Sequence, residues 1–223
     1  MRTSMARSRI RIRTTPTCTI ATGTRLDFGP SKTGSNMAEE LKVLGICGSL
    51  RKASLNMAAL RACKDLLPAG LSLTIADISQ VPMFNQDVFD AGIPEAAKKL
   101  RAEIAAADGV LIASPEYNFS LSAALKNAID WASRPPNQSW QDKPVAIFSC
   151  TQGPLGGARV QYDLRRILVQ LWAHVLPRPE VFIGSAPSKF DAQGRITDEA
   201  TKKFLTDLLA GFKPWIERMR VKK

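Results

Sequence analysis

Residues 41–67 read LKVLGICGSLRKASLNMAALRACKDLL, and this stretch decides the fold. Its first seven residues, Leu41–Cys47, form a largely apolar run that predicts a buried strand. Its last part, Ser54–Leu67, carries apolar side chains at helical spacing and stops before Pro68, so it predicts a helix. A strand, a tight exit at Gly48 and then a helix together indicate the first half of a βαβ unit.

The same alternation continues to the end of the chain. It predicts further strands at Leu71–Ala76, Gly109–Ala113, Lys143–Cys150 and a proline-interrupted Val175–Ile183. It predicts helices at Pro94–Ala107, Leu121–Ala132, Gly156–His174 and Asp198–Arg220, with a loop around Pro82, Phe84 and Asn85. The pattern therefore predicts an α/β, flavodoxin-like, doubly wound, five-stranded parallel sheet of order 2-1-3-4-5 with helices on both faces. Ligands of such sheets bind beyond the carboxyl ends of the strands, where strand order switches between strands 1 and 3.

Composition favours a single globular domain. The 223 residues are 45% hydrophobic and 23% charged, and no apolar run is long enough to predict a membrane-spanning helix. The four cysteines, Cys18, Cys47, Cys63 and Cys150, show no metal-ligand spacing, and His174 is the only histidine. We therefore expect no metal site and no disulfide framework, buried apolar roles for Cys47 and Cys150, a structural role for His174, and a cytoplasmic location.

The net charge of +11 is concentrated at one end of the chain. Residues 1–36 contain seven basic residues and one acidic residue, whereas the rest contains 24 basic and 19 acidic residues. We expect a domain over 37–223, preceded by a basic extension that is disordered or not native. Three interpretations of residues 1–36 stay open: a disordered tail, an organelle transit peptide, and an upstream translation artefact with the true start at Met37. The mild charge of the domain predicts no nucleic-acid partner.

The loop after the first strand carries groups suited to a phosphate. Backbone N–H groups after Gly48 can converge on an anion, and the next helix points its positive end at the same place. Ser49, Ser54 and Asn56 add side-chain donors, and Arg51 offers a planar fork for two phosphate oxygens. The loop has neither the G-x-G-x-x-G spacing of a dinucleotide site nor the ending of a Walker loop. It favours a monophosphate such as that of FMN, although Ser54 could simply cap the helix and Arg51 could be a solvated charge.

The loop after the third strand, residues 114–120, reads SPEYNFS and lies beside the first loop in a 2-1-3 sheet. Pro115 stiffens the turn, and Tyr117 offers an aromatic face to a flat ring. Asn118 and exposed backbone groups can bond the polar edge of such a ring. The two loops together predict a site for the phosphate and isoalloxazine of FMN.

These residues resemble the NADPH-dependent FMN reductase family, and within it the bacterial chromate and quinone reductases. The resemblance runs from about Leu41 to the terminal helix, with anchors at Gly48–Asn56, Ser114–Trp131 and Gly153–Tyr162. It implies that the FMN phosphate is held through Arg51, Ser54 and Asn56 as side-chain contacts. It places the ring largely on backbone groups of the second loop, and it sets Thr151 close to the cofactor. The cofactor-binding residues implied in this way are Ser49, Leu50, Arg51, Lys52, Ala53, Ser54, Leu55, Asn56, Pro115, Glu116, Tyr117, Asn118 and Thr151.

The resemblance also implies an activity. The chain would be an FMN-dependent oxidoreductase that takes electrons from NADPH or NADH and reduces quinones, flavins, chromate, or azo or nitro compounds by a ping-pong hydride mechanism. No catalytic acid or base is expected, because hydride transfer is chemistry of the cofactor. Two alternatives stay open: a flavodoxin-type electron carrier without NAD(P)H turnover, and a binding or regulatory module without any turnover. Arg51 and the net basic domain disfavour the carrier, since flavodoxins resemble one another in a Thr/Ser-rich phosphate loop and an acidic surface.

One residue departs from the family pattern. Phe119 stands where relatives often carry a second tyrosine, so a hydroxyl contact made there, including one across a subunit boundary, would be absent. Members of the family are commonly homodimers or homotetramers. The helix that begins at Leu121 and the helix with Arg159 and Tyr162 would be the candidate contact surfaces.

Overall fold

The parallel sheet follows the predicted order. A computed structural model describes residues 40–220, so the predicted basic extension and the boundary at Met37 lie outside the described residues. The strands are β1 Leu41–Cys47, β2 Leu71–Ile75, β3 Gly109–Ser114, β4 Pro144–Cys150, β5 His174–Val175 and β6 Val181–Ile183. Their order is β2-β1-β3-β4-β5, with β6 also paired to β4, and every pair is parallel. The prediction of a flavodoxin-like 2-1-3-4-5 sheet is confirmed.

Two short strands share the fifth position of the sheet. β5 pairs with the start of β4, and β6 pairs with its end. Pro177 and Pro179 lie between them, and a proline has no N–H to donate to a neighbouring strand. The predicted interruption of this strand therefore divides it into two separate ladders.

Helices cover both faces of the sheet. They are α1 Leu55–Ala62, α2 Gln86–Ala91, α3 Glu95–Ala106, α4 Ala123–Ala132, α5 Ala158–Gln170 and α6 Glu199–Met219. α1 and α6 pack with one face, and α3, α4 and α5 pack with the other. Alternate residues of β3 go to opposite faces, since Leu111 and Ala113 belong to the first core and Val110 and Ile112 to the second. This alternation is what a strand buried on both sides requires.

Several predicted boundaries were wrong by a turn or less, and one helix was missed. α1 tightens into a 3₁₀ turn over Cys63–Leu66. α5 is shorter than predicted, because Gly157 before it and Trp172 after it have positive φ of 83° and 60°. The segment predicted as a loop holds α2, whose N-cap Asn85 accepts a hydrogen bond from the N–H of Asp87 at 2.8 Å. Six residues are too short to show helical periodicity, so only the cap could have revealed this helix.

Candidate active site

A cavity of about 550 Å³ opens where β1, β3 and β4 end. That volume lies within the range of small-molecule sites, about 300–1,000 Å³. Three loops form its walls: residues 48–54 after β1, 115–122 after β3 and 151–157 after β4. The lining residues are Ser49, Arg51, Ser54, Leu55, Asn56, Pro115, Glu116, Tyr117, Cys150, Thr151, Gln152, Gly153, Pro154, Leu155, Gly157 and Arg159. Both loops that the sequence predicted as binding loops therefore face one cavity, and the third loop completes it.

The first loop presents a row of unpaired backbone donors. The N–H groups of residues 49–53, and those of Leu55 and Asn56 in the first turn of α1, donate to no other residue between 40 and 220. The first N–H groups of any helix lack intrahelical partners. The loop adds its own N–H groups to these, which concentrates positive partial charge at the start of α1. This end of the cavity is therefore suited to an anion.

Arg51 is the cation that lies beside this row. Its side chain is exposed and lines the cavity, and within the described part of the chain it makes no hydrogen bond or ion pair. An unpaired guanidinium keeps five N–H donors for a ligand. Ser54 has a different task, since its Oγ accepts from the N–H of Met57 at 3.2 Å and caps α1. The hydroxyl of Ser54 also lies 3.9 Å from Sγ of Cys47, and it can turn its proton towards that sulfur or towards a ligand.

Both polar atoms of the Asn56 side chain form hydrogen bonds with the backbone of Cys150. Its Nδ2 donates to the carbonyl of Cys150 at 2.8 Å, and its Oδ1 accepts from the N–H of Cys150 at 3.1 Å. This pair of bonds fixes the start of α1 against the end of β4. An amide nitrogen has two N–H donors, so one remains for the cavity that Asn56 lines. A direct contact with the phosphate stays a prediction, and the structural role alone accounts for the buried side chain.

Four predicted residues do not line the cavity with their side chains. They are Leu50, Lys52, Ala53 and Asn118, all of them exposed. The first three belong to the row of unpaired N–H groups, which a backbone contact would use. Sequence reasoning assigned the whole loop because it could not tell which side chains turn outward.

The first and second loops meet at Gly48. A Cβ added there would lie 3.0 Å from Cδ of Pro115 and 3.1 Å from Cβ of Leu125. The carbonyl of Gly48 also accepts a hydrogen bond from Oγ of Ser122 at 2.5 Å, and the same Oγ caps α4 by accepting from the N–H of Leu125. A side chain at position 48 would require Pro115 or Leu125 to shift, whereas glycine allows the approach without a shift. One small residue therefore keeps the two walls of the cavity in contact.

The second loop is bound to α5. The carboxylate of Glu116 accepts from the N–H of Val160 through Oε2 at 3.1 Å and from the Arg159 guanidinium through Oε1 at 3.2 Å. Gly157, the N-cap of α5, has no side-chain oxygen, so Glu116 supplies the missing cap from another part of the chain. Oγ of Ser120 donates to Oδ2 of Asp163 at 2.7 Å. The side chain of Glu116 is thus structural, and a ligand in the cavity would meet its backbone N–H, which is unpaired within residues 40–220.

The tip of the second loop is a tight turn. Tyr117 and Ser120 exchange backbone hydrogen bonds of 2.9 and 3.0 Å, and Asn118 and Phe119 between them have φ of 49° and 68°. Positive φ at both central positions defines a type I′ turn, which Asn suits and Phe does not. A left-handed conformation costs a residue with a side chain about 1–2 kcal/mol. The ring of Phe119 stacks on the Arg159 guanidinium, with Cζ 3.9 Å from the ring centroid, and such a contact offsets about 0.5–1 kcal/mol.

The third loop contains functional candidates that the sequence-based list omitted. Thr151 lines the cavity, and its Oγ1 donates to the carbonyl of Gly153 at 3.2 Å; its closeness to the cofactor stays a prediction. Gln152 and Gly153 offer N–H groups that have no partner in the range 40–220. Leu155 lines the cavity with a side chain that is 53% exposed. The glycine pair that follows, with positive φ at Gly156 and Gly157, was the signal in the sequence that a close backbone approach occurs here.

Within residues 40–220, neither Cys47 and Cys150 nor His174 supplies a reactive group to the site. Cys47 and Cys150 are buried, and burial raises the pKa of both thiols, that of Cys150 to about 12. A thiol is a poor nucleophile when its pKa is so high. His174 lies in β5 and pairs with Pro144 at the start of β4, whereas the cavity lies where β4 ends. No group of metal-ligating side chains occurs among residues 40–220, and none of the helices described there is long and apolar enough to cross a membrane.

The parallel sheet, the donor-lined loop at its switch point and the aromatic loop beside it define a flavodoxin-like protein with a mononucleotide site. The chain belongs to the NADPH-dependent FMN reductase family, whose model matches residues 41–188.

Individual relatives agree with this assignment. The chain is 48% identical over 184 residues to an NAD(P)H-dependent FMN reductase of Pseudomonas aeruginosa, across 82% of this chain and 100% of that protein. It is 41% identical over 188 residues to a quinone reductase of Escherichia coli K12, across 83% and 100%. Among solved structures it is similar to FerB of Paracoccus denitrificans, a flavoenzyme NAD(P)H:(acceptor) oxidoreductase, with a TM-score of 0.75, 36% identity and coverage of 81% and 100%.

Proposed function

We propose that this chain binds FMN in the cavity and uses NADPH or NADH to reduce quinones. The observation that carries the proposal is the joint presence, on one cavity, of a row of unpaired N–H groups with Arg51 and of an open aromatic loop at Tyr117. The names of the relatives from P. aeruginosa and E. coli support FMN reductase and quinone reductase activities.

The residues present fit FMN. The N–H row and Arg51 would hold the phosphate, because they offer donors and positive charge at a helix start. The unpaired N–H groups of Glu116, Gln152 and Gly153 would bond the polar edge of the ring. Tyr117, 46% exposed, would lie against the ring and keep part of the cavity open to a second molecule. When bound, FMN supplies the electron chemistry, accepting two electrons from NAD(P)H and passing them to the acceptor.

One open cavity supports a ping-pong order. Donor and acceptor would occupy the same space beside Tyr117 and Leu155 in turn, and the protein would bind and orient each of them. The sequence contains neither the G-x-G-x-x-G motif of a dinucleotide site nor a Walker loop. The proposal therefore assigns the nicotinamide donor to the same cavity and not to a second site. Flavins, chromate, and azo and nitro compounds remain predicted acceptors.

The experiment is an anaerobic titration of the FMN-loaded full chain. NADPH or NADH should bleach the absorbance of bound flavin near its visible maximum, and a quinone added next should restore it. Initial rates measured at several fixed quinone concentrations should give parallel double-reciprocal lines. Flavin that binds but is not bleached by either nicotinamide would favour the electron-carrier alternative, and protein that binds no flavin would remove the proposal.

A second copy of the chain is proposed to cover the outer face of α5. Tyr162 and Val169 lie two turns apart on this helix, and Trp172 follows it, with exposures of 60%, 63% and 65%. Exposed aromatic and aliphatic side chains gathered in this way are typical of protein contacts. Light scattering of the parent should give a dimer or tetramer, and Val169→Glu should shift it towards the monomer. An unshifted mass would refute this surface. A cytoplasmic location is also proposed, because Cys47, Cys63 and Cys150 are free thiols and a reducing compartment keeps thiols reduced.

A further inference from the structure

The loop that would flank the flavin ring is bound to α5 by four separate contacts. Glu116 caps the helix at Val160 and pairs with Arg159, and Ser120 donates to Asp163. The fourth contact is the stack of Phe119 on Arg159. Arg159 takes part in two of the four, one through a guanidinium N–H to Glu116 and one through its contact with the Phe119 ring, so it connects two residues of the loop to one helix position.

Phe119 is poorly placed without this partner. Its backbone has φ of 68°, a region that phenylalanine rarely adopts. Its side chain is 65% exposed and belongs to neither hydrophobic core of the described domain. The contact with the Arg159 guanidinium is the ring contact that the structure gives it. The side chain is therefore retained against an unfavourable backbone by a contact with α5.

We propose that Arg159 is a positioning residue for the ring end of the cavity. By stacking on Phe119 and pairing with Glu116, it fixes the turn that carries Tyr117 and so sets the width of the slot between Tyr117 and the third loop. The inference rests on the proposed FMN site. It assigns the position of the second loop to a residue about 40 places later in the chain, because the side chains of Glu116, Phe119 and Ser120 all contact α5.

The geometry also predicts which substitutions can replace the contact. A lysine keeps the charge but has neither the planar face for stacking nor the fork for Glu116. A tyrosine at 119 keeps the aromatic face, whereas leucine removes it. Glycine at 119 also removes the ring but relieves the left-handed backbone. Comparison of glycine with leucine therefore separates the stack from the strain of the turn.

The test uses the full chain with Arg159→Lys, Phe119→Leu, Phe119→Gly and Phe119→Tyr. Arg195→Lys is the control, because Arg195 makes an ion pair of the same kind with Asp191 at 2.7 Å and does not line this cavity. Each variant is compared in three measurements. The first is amide hydrogen exchange over residues 115–120 in protein without cofactor. The second is an FMN titration that gives the Kd and the visible circular dichroism of the bound flavin, and the third is steady-state kinetics with benzoquinone, which give kcat and KM.

We expect Arg159→Lys, Phe119→Leu and Phe119→Gly to speed exchange over 115–120 and to alter the flavin dichroism. Their kcat/KM should fall about 10- to 100-fold, as expected for small misplacement at a reacting centre. The Kd for FMN should change much less, because the phosphate loop is untouched. Arg195→Lys should match the parent in all three measurements, and Phe119→Tyr, which keeps the aromatic face, should match it in exchange and in dichroism.

Two results would overturn the inference: unchanged exchange and dichroism in Arg159→Lys, or parent-like behaviour of Phe119→Gly, which would assign the position of the loop to the turn alone. Absence of FMN binding by the parent would remove the proposed function instead. The exchange data would still decide whether Arg159 fixes the loop.

Discussion

The two loops that face the cavity are built in opposite ways. In the loop after β1, backbone donors and the Arg51 side chain are unpaired and directed to the cavity. In the loop after β3, the side chains of Glu116, Phe119 and Ser120 are engaged with α5. The first loop therefore binds with groups of its own, whereas the second depends on a distant helix for its shape. A phosphate needs many donors at one place, and a flat ring needs a wall at a fixed distance.

Gly48→Val tests the point where the two loops meet, and we expect the largest effect there. The two methyl groups would enter space already limited by Cδ of Pro115 at 3.0 Å from the Cβ position. Overpacking of this kind costs about 1–3 kcal/mol in the free energy of unfolding, and separation of the loops should weaken both the phosphate end and the ring end. Urea denaturation and FMN titration measure the two losses.

Gly211→Ala is the matched control for that substitution. It lies inside α6, where an added Cβ would be 3.5 Å from Cδ of Pro179, an ordinary contact. Alanine should stabilise the helix by about 0.5–1 kcal/mol. Full FMN affinity in Gly48→Val would contradict the idea that one close approach holds the loops together.

Arg51→Lys separates the first loop from the second. Lysine keeps the charge but loses the planar fork, so FMN affinity should fall by about 1–3 kcal/mol with little change in stability. Quenching of FMN fluorescence on binding gives the Kd. Arg61→Lys is the control. Arg61 lies in the last turn of α1 and does not line this cavity, so its substitution should leave the Kd for FMN unchanged. An unaltered Kd in Arg51→Lys would show that the planar fork adds nothing to phosphate binding beyond the positive charge.

Glu116→Ala tests the second loop, with a smaller expected effect. It removes the acceptor that caps α5 at Val160, and the loss of such a cap costs about 0.5–2 kcal/mol of stability. The phosphate contacts should not change, so the double variant with Arg51→Lys should show additive losses of FMN affinity within about 0.5 kcal/mol. Clear non-additivity would show that the loops are coupled at the phosphate end.

The same contrast explains what the sequence could predict. The strands followed from apolar runs, and the 2-1-3-4-5 order followed from their number and their alternation with helices in one domain. The first loop followed because its donors lie within a few residues of Gly48. The role of Glu116 as the cap of α5 could not be predicted, because Val160 is distant in the chain and Gly157 gave no sign of needing a cap. Asn56 was assigned to the phosphate because its bonds to Cys150 depend on the sheet register, which residue types do not reveal. Thr151 was found through resemblance, whereas Gln152 and Leu155 carry no distinctive pattern.

The smallest expected effect lies in the sheet beneath the loops, and it depends on pH. Burial raises the pKa of the Cys150 thiol from 9.0 to about 12. In the folded protein the thiol thus stays neutral at pH values where the unfolded chain has already lost the proton. The contribution of the neutral Cys150 thiol to stability is fully present below about pH 9 and is lost as pH rises towards 12. Between pH 8 and 9.5 this loss amounts to roughly 1 kcal/mol. The free energy of unfolding of the parent should therefore fall over this interval by that much more than that of Cys150→Ala. Equal slopes for the two proteins would show that the thiol beneath the third loop ionises as readily in the folded as in the unfolded chain.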